Sequence, residues 1–293
     1  MMVDKFLDYL LFERNYSKRT IVSYGEDLKA FESYFKGLDD RLSWESIDSD
    51  IIRDWMESMM DKGNTATSIN RRLSALRSLY RFALSHHLVE KDPAHKLNGP
   101  KKEKPLPYFL KEREMDQLLD QVTWSDRYKD VCARTIILTF YETGMRLSEL
   151  TGLKEKDVDF HEMQMKVTGK RNKQRIIPFG EELKNTLLSY INVRDKNIVR
   201  LSDEVFLDEK GNKMKDAHVR YVVKKWLPKV CTLKKHSPHV LRHSFATSML
   251  NNRAGLESVK QLLGHKSLET TEVYTHTTFE QLKKVYISAH PRA

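Results

Sequence analysis

Only 2 of the 293 residues are cysteine, too few for a disulfide framework. Cys132 and Cys231 both sit among apolar or helical neighbours, where a buried free thiol is expected, and that fits a reducing, cytoplasmic setting. Long apolar runs are missing as well. No stretch approaches the ~18 uninterrupted apolar residues of a membrane span, and the first positions mix acids with aromatics, unlike a secretory leader. No membrane partner is expected. Internal repeats and low-complexity tracts are absent, and Asp and Glu nowhere gather into a carboxylate cluster able to hold two divalent metals, so metal-dependent cleavage chemistry is disfavoured. No cofactor is expected. Acids are also outnumbered: 51 Lys and Arg against 41 Asp and Glu give a formal net charge of +10 and a pI near 9.3. That surplus points to a polyanion, nucleic acid foremost, because cations that neutralise phosphates release condensed counterions. A hydrophobic content of 40% with 10% aromatics describes an ordinary folded chain, long enough for two cores.

Helical periodicity dominates the first hundred residues. Val3, Phe6, Leu7, Leu10 and Leu11 share one face, and Ser17 to Thr20 opens a second helix that buries Ile21, Tyr24, Leu28, Phe31 and Phe35 and is expected to end at Gly37. A third helix runs from about Asp48 to Met60, closed by Gly63-Asn64. The fourth, from Thr67, buries Ile69, Leu73, Leu76, Tyr80 and Leu84. Its other faces carry Arg71, Arg72, Arg77 and Arg81 with almost no acids between them, which favours contact with DNA over a mixed-charge solvated face. From Asn98 to Pro107 three prolines, a glycine and a charge run interrupt all periodicity and read as an extended linker. The expected organisation is therefore an N-terminal helical domain over 1–97, a linker over 98–107 and a second domain over 108–293.

The second half resumes with helices near 111–121 and 128–142, stopped at Thr143-Gly144, with Arg146-Leu147-Ser148-Glu149-Leu150 starting another. Met163, Met165 and Val167 alternate with polar residues, Gly169-Lys170-Arg171-Asn172 has turn chemistry, and Arg175-Ile176-Ile177-Pro178 returns as the second strand of a hairpin. Helices follow at 181–193, 216–226, 238–251, 256–263, 268–275 and from Phe279 to Ile287. Ser237-Pro238 is a helix start. From it Leu241, Phe245 and Met249 face the core, while His239 and Arg242 share the first turn with free backbone N–H groups and the positive end of the dipole. Those groups suit a phosphate. Cys231, His236, His239 and His243 lie close together, but a second thiol is missing and His239 fits the phosphate reading, so no metal is expected and His243 is expected to pack or hydrogen-bond beneath the site.

Taken in order, the runs Thr143-Gly144-Met145-Arg146-Leu147-Ser148-Glu149-Leu150, Gly169 to Arg175 with Pro178, His239-Val240-Leu241-Arg242-His243, Leu262-Leu263-Gly264-His265 and Tyr274-Thr275-His276 resemble the tyrosine recombinases, or phage-type integrases, and among them the Xer-type enzymes. The resemblance spans nearly the whole chain, with no room before Val3 for the extra arm-binding domain of many phage integrases. It implies a mainly α fold with a small antiparallel β-sheet: an N-terminal SAM-like, core-binding helical bundle and a mixed α/β catalytic domain whose last helix docks into a neighbouring protomer, or else back onto its own domain.

The chemistry suits the residue types. Tyr274 is the implied nucleophile, a phenol mostly protonated at neutral pH that needs help to attack a phosphodiester. Arg146 and Arg242 grip the non-bridging oxygens where charge concentrates as phosphorus becomes five-coordinate. His239 is a proton acceptor or phosphate donor and His265 a second donor; Lys170 on the hairpin turn is the proposed general acid, with Lys173 the competing choice. Glu149 orients a catalytic side chain. The resemblance thus implies site-specific cutting and rejoining of DNA through a 3′-phosphotyrosine, without ATP, by a homo- or hetero-tetramer associated with the nucleoid. The Xer-type resolution of chromosome dimers leads; an integrase or invertase of a mobile element, a catalytically inactive DNA-binding regulator and a topoisomerase-like nicking and rejoining enzyme remain as alternatives.

Overall fold

The computed structural model describes residues 2–102, 108–169, 172–264 and 276–293, the side chains of 276–278 excepted. Its backbone contacts divide into two units, Met1–Pro105 and Leu106–Ala293. The architecture is mainly α with one small antiparallel sheet, as the sequence led us to expect. Among the described residues, no helix is long and apolar enough to cross a membrane.

In the first unit, α1 (Met2–Asp8) runs into a π-helical turn, Tyr9–Glu13, followed by α2 (Lys18–Leu38), α3 (Ser49–Asp61) and α4 (Ala66–Ser85). The last three start on side-chain caps. Ser17 Oγ accepts from the Thr20 N–H at 3.2 Å, Asp48 Oδ1 from Asp50 and Ile51 at 2.9 and 3.0 Å, and Thr65 Oγ1 from Ser68 at 3.3 Å. Each cap satisfies a donor the helix itself leaves unpaired and contributes about 1 kcal/mol. Phe6, Leu28, Phe31, Phe35, Trp55, Leu73 and Tyr80 fill the core between them, with the Phe31 and Trp55 rings 4.8 Å apart. Gly37 does not end α2: its φ is not left-handed, and the Asp39 N–H still donates to Phe35 O at 3.2 Å. Leu84, expected inside, is 42% exposed, although Phe82 and Ala83 in the same last turn of α4 are buried in the core. Asn70 Nδ2 donates to Pro100 O at 2.8 Å, so the chain lies against α4 as far as Pro100.

The second unit is built around α6 (Tyr128–Thr143), in which every residue from Thr135 to Thr143 is buried. A helix apolar on all sides belongs at the centre of a domain, and α8 (Glu181–Asn197), α9 (Asp216–Trp226) and α10 (Pro238–Asn251) pack on it. The hydroxyls of Thr135, Thr139 and Thr143 bond back to the carbonyls of Val131, Thr135 and Thr139 at 2.8, 2.7 and 2.5 Å, which removes the cost of burying them. Ahead of α6 lie α5 (Glu112–Asp116) and a π turn over Gln117–Gln121; after it come α7 (Leu147–Thr151) and the sheet. That sheet has order β1-β2-β3, from β1 (Val158–Asp159), β2 (Gln164–Thr168) and β3 (Gln174–Pro178), all antiparallel, with Met165 opposite Ile177 and Val167 opposite Arg175. The two-residue β1 was not foreseen, being too short to show alternation.

α11 (Leu256–Leu263) and α12 (His276–Ala289) complete the unit. The expected helix over 268–275 lies outside the described residues. α12 packs on α10, α11 and β3 of its own chain, with Leu282, Tyr286 and Ala289 buried against Phe245, Met249 and Leu262. The C-terminus is pinned by polar bonds: Tyr286 Oη donates to Glu142 Oε2 at 3.1 Å, His290 Nε2 to Tyr141 O at 3.1 Å, and Arg292 Nη1 to Glu182 at 2.7 Å.

Candidate active site

Gly144 begins the site. At φ +56° it caps α6 in the left-handed conformation, and a side chain there would put its Cβ 2.4 Å from the Phe245 ring and 2.8 Å from Leu263. Only glycine fits both demands. The chain turned by this residue delivers Arg146 as the N-cap of α7, with Glu149 one turn on. Glu149 Oε2 accepts from the Arg146 backbone N–H at 2.6 Å and Oε1 from Arg146 Nη1 at 2.9 Å. The same carboxylate takes a two-pronged grip from β3, Arg175 Nη1 to Oε1 at 2.6 Å and Nη2 to Oε2 at 2.9 Å.

Three arginines from three elements then converge on the C-terminal end of α11. Arg175 Nε donates to Leu262 O at 2.8 Å, Arg242 Nη2 to Leu263 O at 2.6 Å, and Arg146 Nη2 to Gly264 O at 3.0 Å. A helix leaves its last carbonyls unpaired and carries partial negative charge there, so guanidiniums are natural partners. Arg242 also donates through Nη1 to Gly144 O at 2.5 Å, tying α10 to the turn between α6 and α7.

The charges do not balance. Burial alone would raise the Glu149 carboxyl, but the hydrogen bonds and charges of Arg175 and Arg146 hold it at about 2. Arg242 is pushed down to about 9, first by burial and then by Arg146 and Arg175, with Glu149 acting in the opposite sense. Three guanidiniums against one carboxylate leave a cationic surplus, and that surplus favours an anion. Arg146, 35% exposed in its side chain, is the member that faces solvent, whereas Arg242 and Arg175 are each 8% exposed.

Of the residues singled out in the sequence, Arg146, Arg242 and Glu149 are brought together here, whereas Lys170, His265 and Tyr274 lie outside the described residues. His239 stands exposed on the first turn of α10. His243 does not pack beneath the site as expected: one turn along the same helix, it too is exposed, and partial burial, then His239 and Arg242, hold it below the usual histidine range. Ser237 is the N-cap of α10, but its side chain makes no capping bond. Lys173 is exposed, and its carbonyl closes the hairpin by accepting from the Gly169 N–H at 2.7 Å.

In the first unit the four α4 arginines divide. Arg71 binds Asp27 and, at 2.5 Å, Ser23 Oγ; Arg72 Nε lies 3.6 Å from Asp27; and Arg77 donates to Ala94 O at 3.2 Å and to Leu97 O. These three hold the fold together, and their acid lies on α2, out of reach of a count along α4. Arg81 is exposed. The functional residue that the sequence reading passed over is Arg175. Strand alternation puts it on the inward face with Ile177, and an inward arginine requires a carboxylate, so the signal was present.

Comparison with known proteins gives the following. The phage integrase family model matches residues 108–281, and that of the phage integrase N-terminal SAM-like domain matches residues 3–87. The chain is 36% identical to tyrosine recombinase XerC of Chlorobaculum tepidum, over 99% of this chain and 94% of that protein. It is 37% identical to tyrosine recombinase XerC of Bacillus pumilus, over 100% of this chain and 97% of that one. Among solved structures, the fold is similar to that of the XerH site-specific recombinase bound to palindromic difH substrate in a post-cleavage complex, with a TM-score of 0.73, 24% identity, and coverage of 92% of this chain and 80% of the other.

Proposed function

Because this chain belongs to the phage integrase family, the tyrosine recombinases, we propose that it is a Xer-type enzyme that cuts and rejoins double-stranded DNA at a fixed site and resolves chromosome dimers. The observation that carries this reading is the meeting of Arg146 and Arg242 at neighbouring carbonyls, Gly264 and Leu263, in a site with surplus positive charge. Both guanidiniums are held from behind, which leaves N–H groups of each for the two non-bridging oxygens of one phosphodiester.

In the proposed reaction the Tyr274 hydroxyl attacks phosphorus, the bond to the 5′-oxygen breaks, and a 3′-phosphotyrosine and a free 5′-hydroxyl result. Arg146 and Arg242 stabilise the charge that gathers on the equatorial oxygens. His239 and His265 donate to the phosphate or take the phenol proton, and Lys170 or Lys173 returns a proton to the leaving oxygen. Rejoining reverses these steps with the 5′-hydroxyl of another strand, so bond energy is conserved and no ATP is consumed. Glu149 acts through Arg146. The reading extends to a tetramer of this chain, alone or with a related recombinase, on two duplexes at the nucleoid, with α12 exchanging the contacts it makes on its own chain for those of a neighbouring protomer and Arg81 contacting backbone phosphate.

The test starts from a duplex selected by binding to the full chain from a randomised pool, then nicked beside the scissile position so that cleavage is trapped. Wild-type protein is expected to form a covalent protein–DNA adduct, and Tyr274→Phe none. An adduct of undiminished yield in Tyr274→Phe would show that the nucleophile is another residue. For the chromosomal role, plasmid dimers carrying two copies of that site should be converted to monomers; insertion into unrelated DNA instead would favour a mobile-element enzyme.

A further inference from the structure

We propose that Arg175 is a positioning residue for strand cleavage: through the Glu149 carboxylate it fixes Arg146, and through Leu262 O it fixes the end of α11 on which Arg146 and Arg242 both rest. The inference rests on the reading of Arg146 and Arg242 as the phosphate-binding pair.

The strand register dictates the burial. Val167 and Arg175 are opposite one another on β2 and β3, and the inward face that carries Met165, Val167 and Ile177 carries Arg175 too. A guanidinium on that face must be paired to be tolerated. Arg175 spends Nε on Leu262 O and one N–H of each Nη on the two oxygens of Glu149, at 2.6 to 2.9 Å. Its Nε and both Nη atoms are each engaged by a protein oxygen, whereas Arg242, equally buried, is held only through its two Nη atoms, so Arg175 is a support rather than a phosphate ligand.

What it does instead is saturate Glu149. That carboxylate has two oxygens and accepts four N–H groups, two from Arg175 and two from Arg146. Of these only the Arg146 side chain is free to rotate into solvent. With Arg175 in place the carboxylate has one orientation, and Arg146 Nη1 follows it. Lys could supply the charge but not the planar fork. Arg175 also packs on the turn after α11: a Cβ on Gly264 would lie 3.1 Å from Arg175 Cδ and 3.3 Å from its Nε and Nη1, at a φ of +64°. Among the described residues, the charged groups that face Glu149 are thus Arg146 from the start of α7, Arg175 from β3 and, through its field, Arg242 from α10. Without Arg175 a buried carboxylate keeps one direct partner, and its proton affinity rises into the range of ordinary buffers.

The experiment measures single-turnover adduct formation on the nicked duplex, together with duplex affinity, from pH 5 to 8. Arg175→Gln is expected to bind DNA within about threefold of wild type and to cleave about 10²-fold more slowly, as a displacement of about 1 Å in a reacting group does. Its rate should also fall more steeply with acid than that of wild type, whose own acid dependence comes from the site histidines, because Glu149 then takes up a proton in that range. Arg175→Lys should recover part of the rate and suppress the added acid fall. Arg175→Gln combined with Glu149→Gln should cleave no more slowly than Arg175→Gln alone and lose the added acid dependence. Cleavage by Arg175→Gln within threefold of wild type, or a loss with an unchanged pH profile that multiplies with that of Glu149→Gln, overturns the proposal. Should Arg175→Gln fail to fold, Arg175→Lys decides: unchanged affinity with slowed cleavage supports the role, and wild-type cleavage refutes it. Tyr274→Phe separates the two readings, since an adduct persisting there undoes the site assignment, whereas its disappearance beside an unimpaired Arg175→Gln undoes only the positioning role.

Discussion

Glu142 should make the second unit lose stability in alkali, and Glu142→Gln should remove that loss. The side chain is fully buried in the last turn of α6; its Oε2 accepts from the Gly180 N–H and from Tyr286 Oη, both at 3.1 Å, while Oε1 has no partner among the described residues. Burial pushes its carboxyl up to about 8, the bonds from Gly180 and Tyr286 and the charge of Arg292 opposing this and that of Glu182 adding to it. A carboxyl raised on folding binds a proton that the unfolded chain, with an ordinary value near ~4.5, has already released, so stability is full below that value and falls as pH rises through about 8. Between pH 6 and 9 the difference is about 3 kcal/mol, or about 1 M in the urea midpoint. Gln keeps an acceptor for both donors without the charge. The assay is urea unfolding of the full chain at both pH values, read by loss of hydrogen-exchange protection in α6 and α12 peptides. Parallel alkaline losses in wild type and Glu142→Gln would refute the argument. His290 supplies the opposite limb: burial holds it at about 4, with the bond to Tyr141 O raising it and Arg292 lowering it. Its stabilisation is therefore present above ~6.5 and lost as pH falls through about 4.

Three further outcomes follow from single positions. Gly144→Ala places a Cβ 2.4 Å from the Phe245 ring at a left-handed φ, and thermal unfolding should show a loss of about 2 kcal/mol or more, with adduct formation impaired because Arg146 follows directly. Arg77→Ala leaves Ala94 O and Leu97 O without their donor and should destabilise the first unit by about 1–3 kcal/mol. Arg81→Ala, from an exposed position, should leave the melting temperature unchanged and weaken DNA binding more at low salt than at high salt.

What could be read from the sequence depended on how local the cause was. The helices over 216–226, 238–251 and 256–263 begin and end where residue spacing and glycine placement put them, because capping and amphipathicity act within a turn or two. Gly37 misled for the same reason: its φ is not left-handed, and α2 runs past it to Leu38. The α4 arginines show the limit more sharply. Seen along one helix they lack acids, yet Asp27 reaches two of them from α2, and backbone carbonyls beyond α4 take the third. Within the site, Arg146, Arg242 and Glu149 were recognisable from their motifs, but the support of Arg175, Arg242 and Arg146 on three consecutive carbonyls was not, since it exists only once β3, α7, α10 and α11 have packed.

The end of α6 joins the C-terminal segment to the arginine site. Tyr141 O receives His290, Glu142 receives Tyr286, and Gly144 O receives Arg242 Nη1, all within four consecutive residues. One helical turn therefore carries both the anchors of the C-terminal segment and a support of the arginine site. Backbone carbonyls a residue or two apart in a packed helix end cannot shift independently, because interiors are close-packed and respond to strain as a unit. Tyr286 and His290 thus hold the same turn that supplies Gly144 O to Arg242, while Glu149 and Arg175 hold Arg146. The two guanidiniums share the end of α11 but are otherwise fixed by different neighbours, so the geometry between them is set by the fold of the whole second unit rather than by either motif alone.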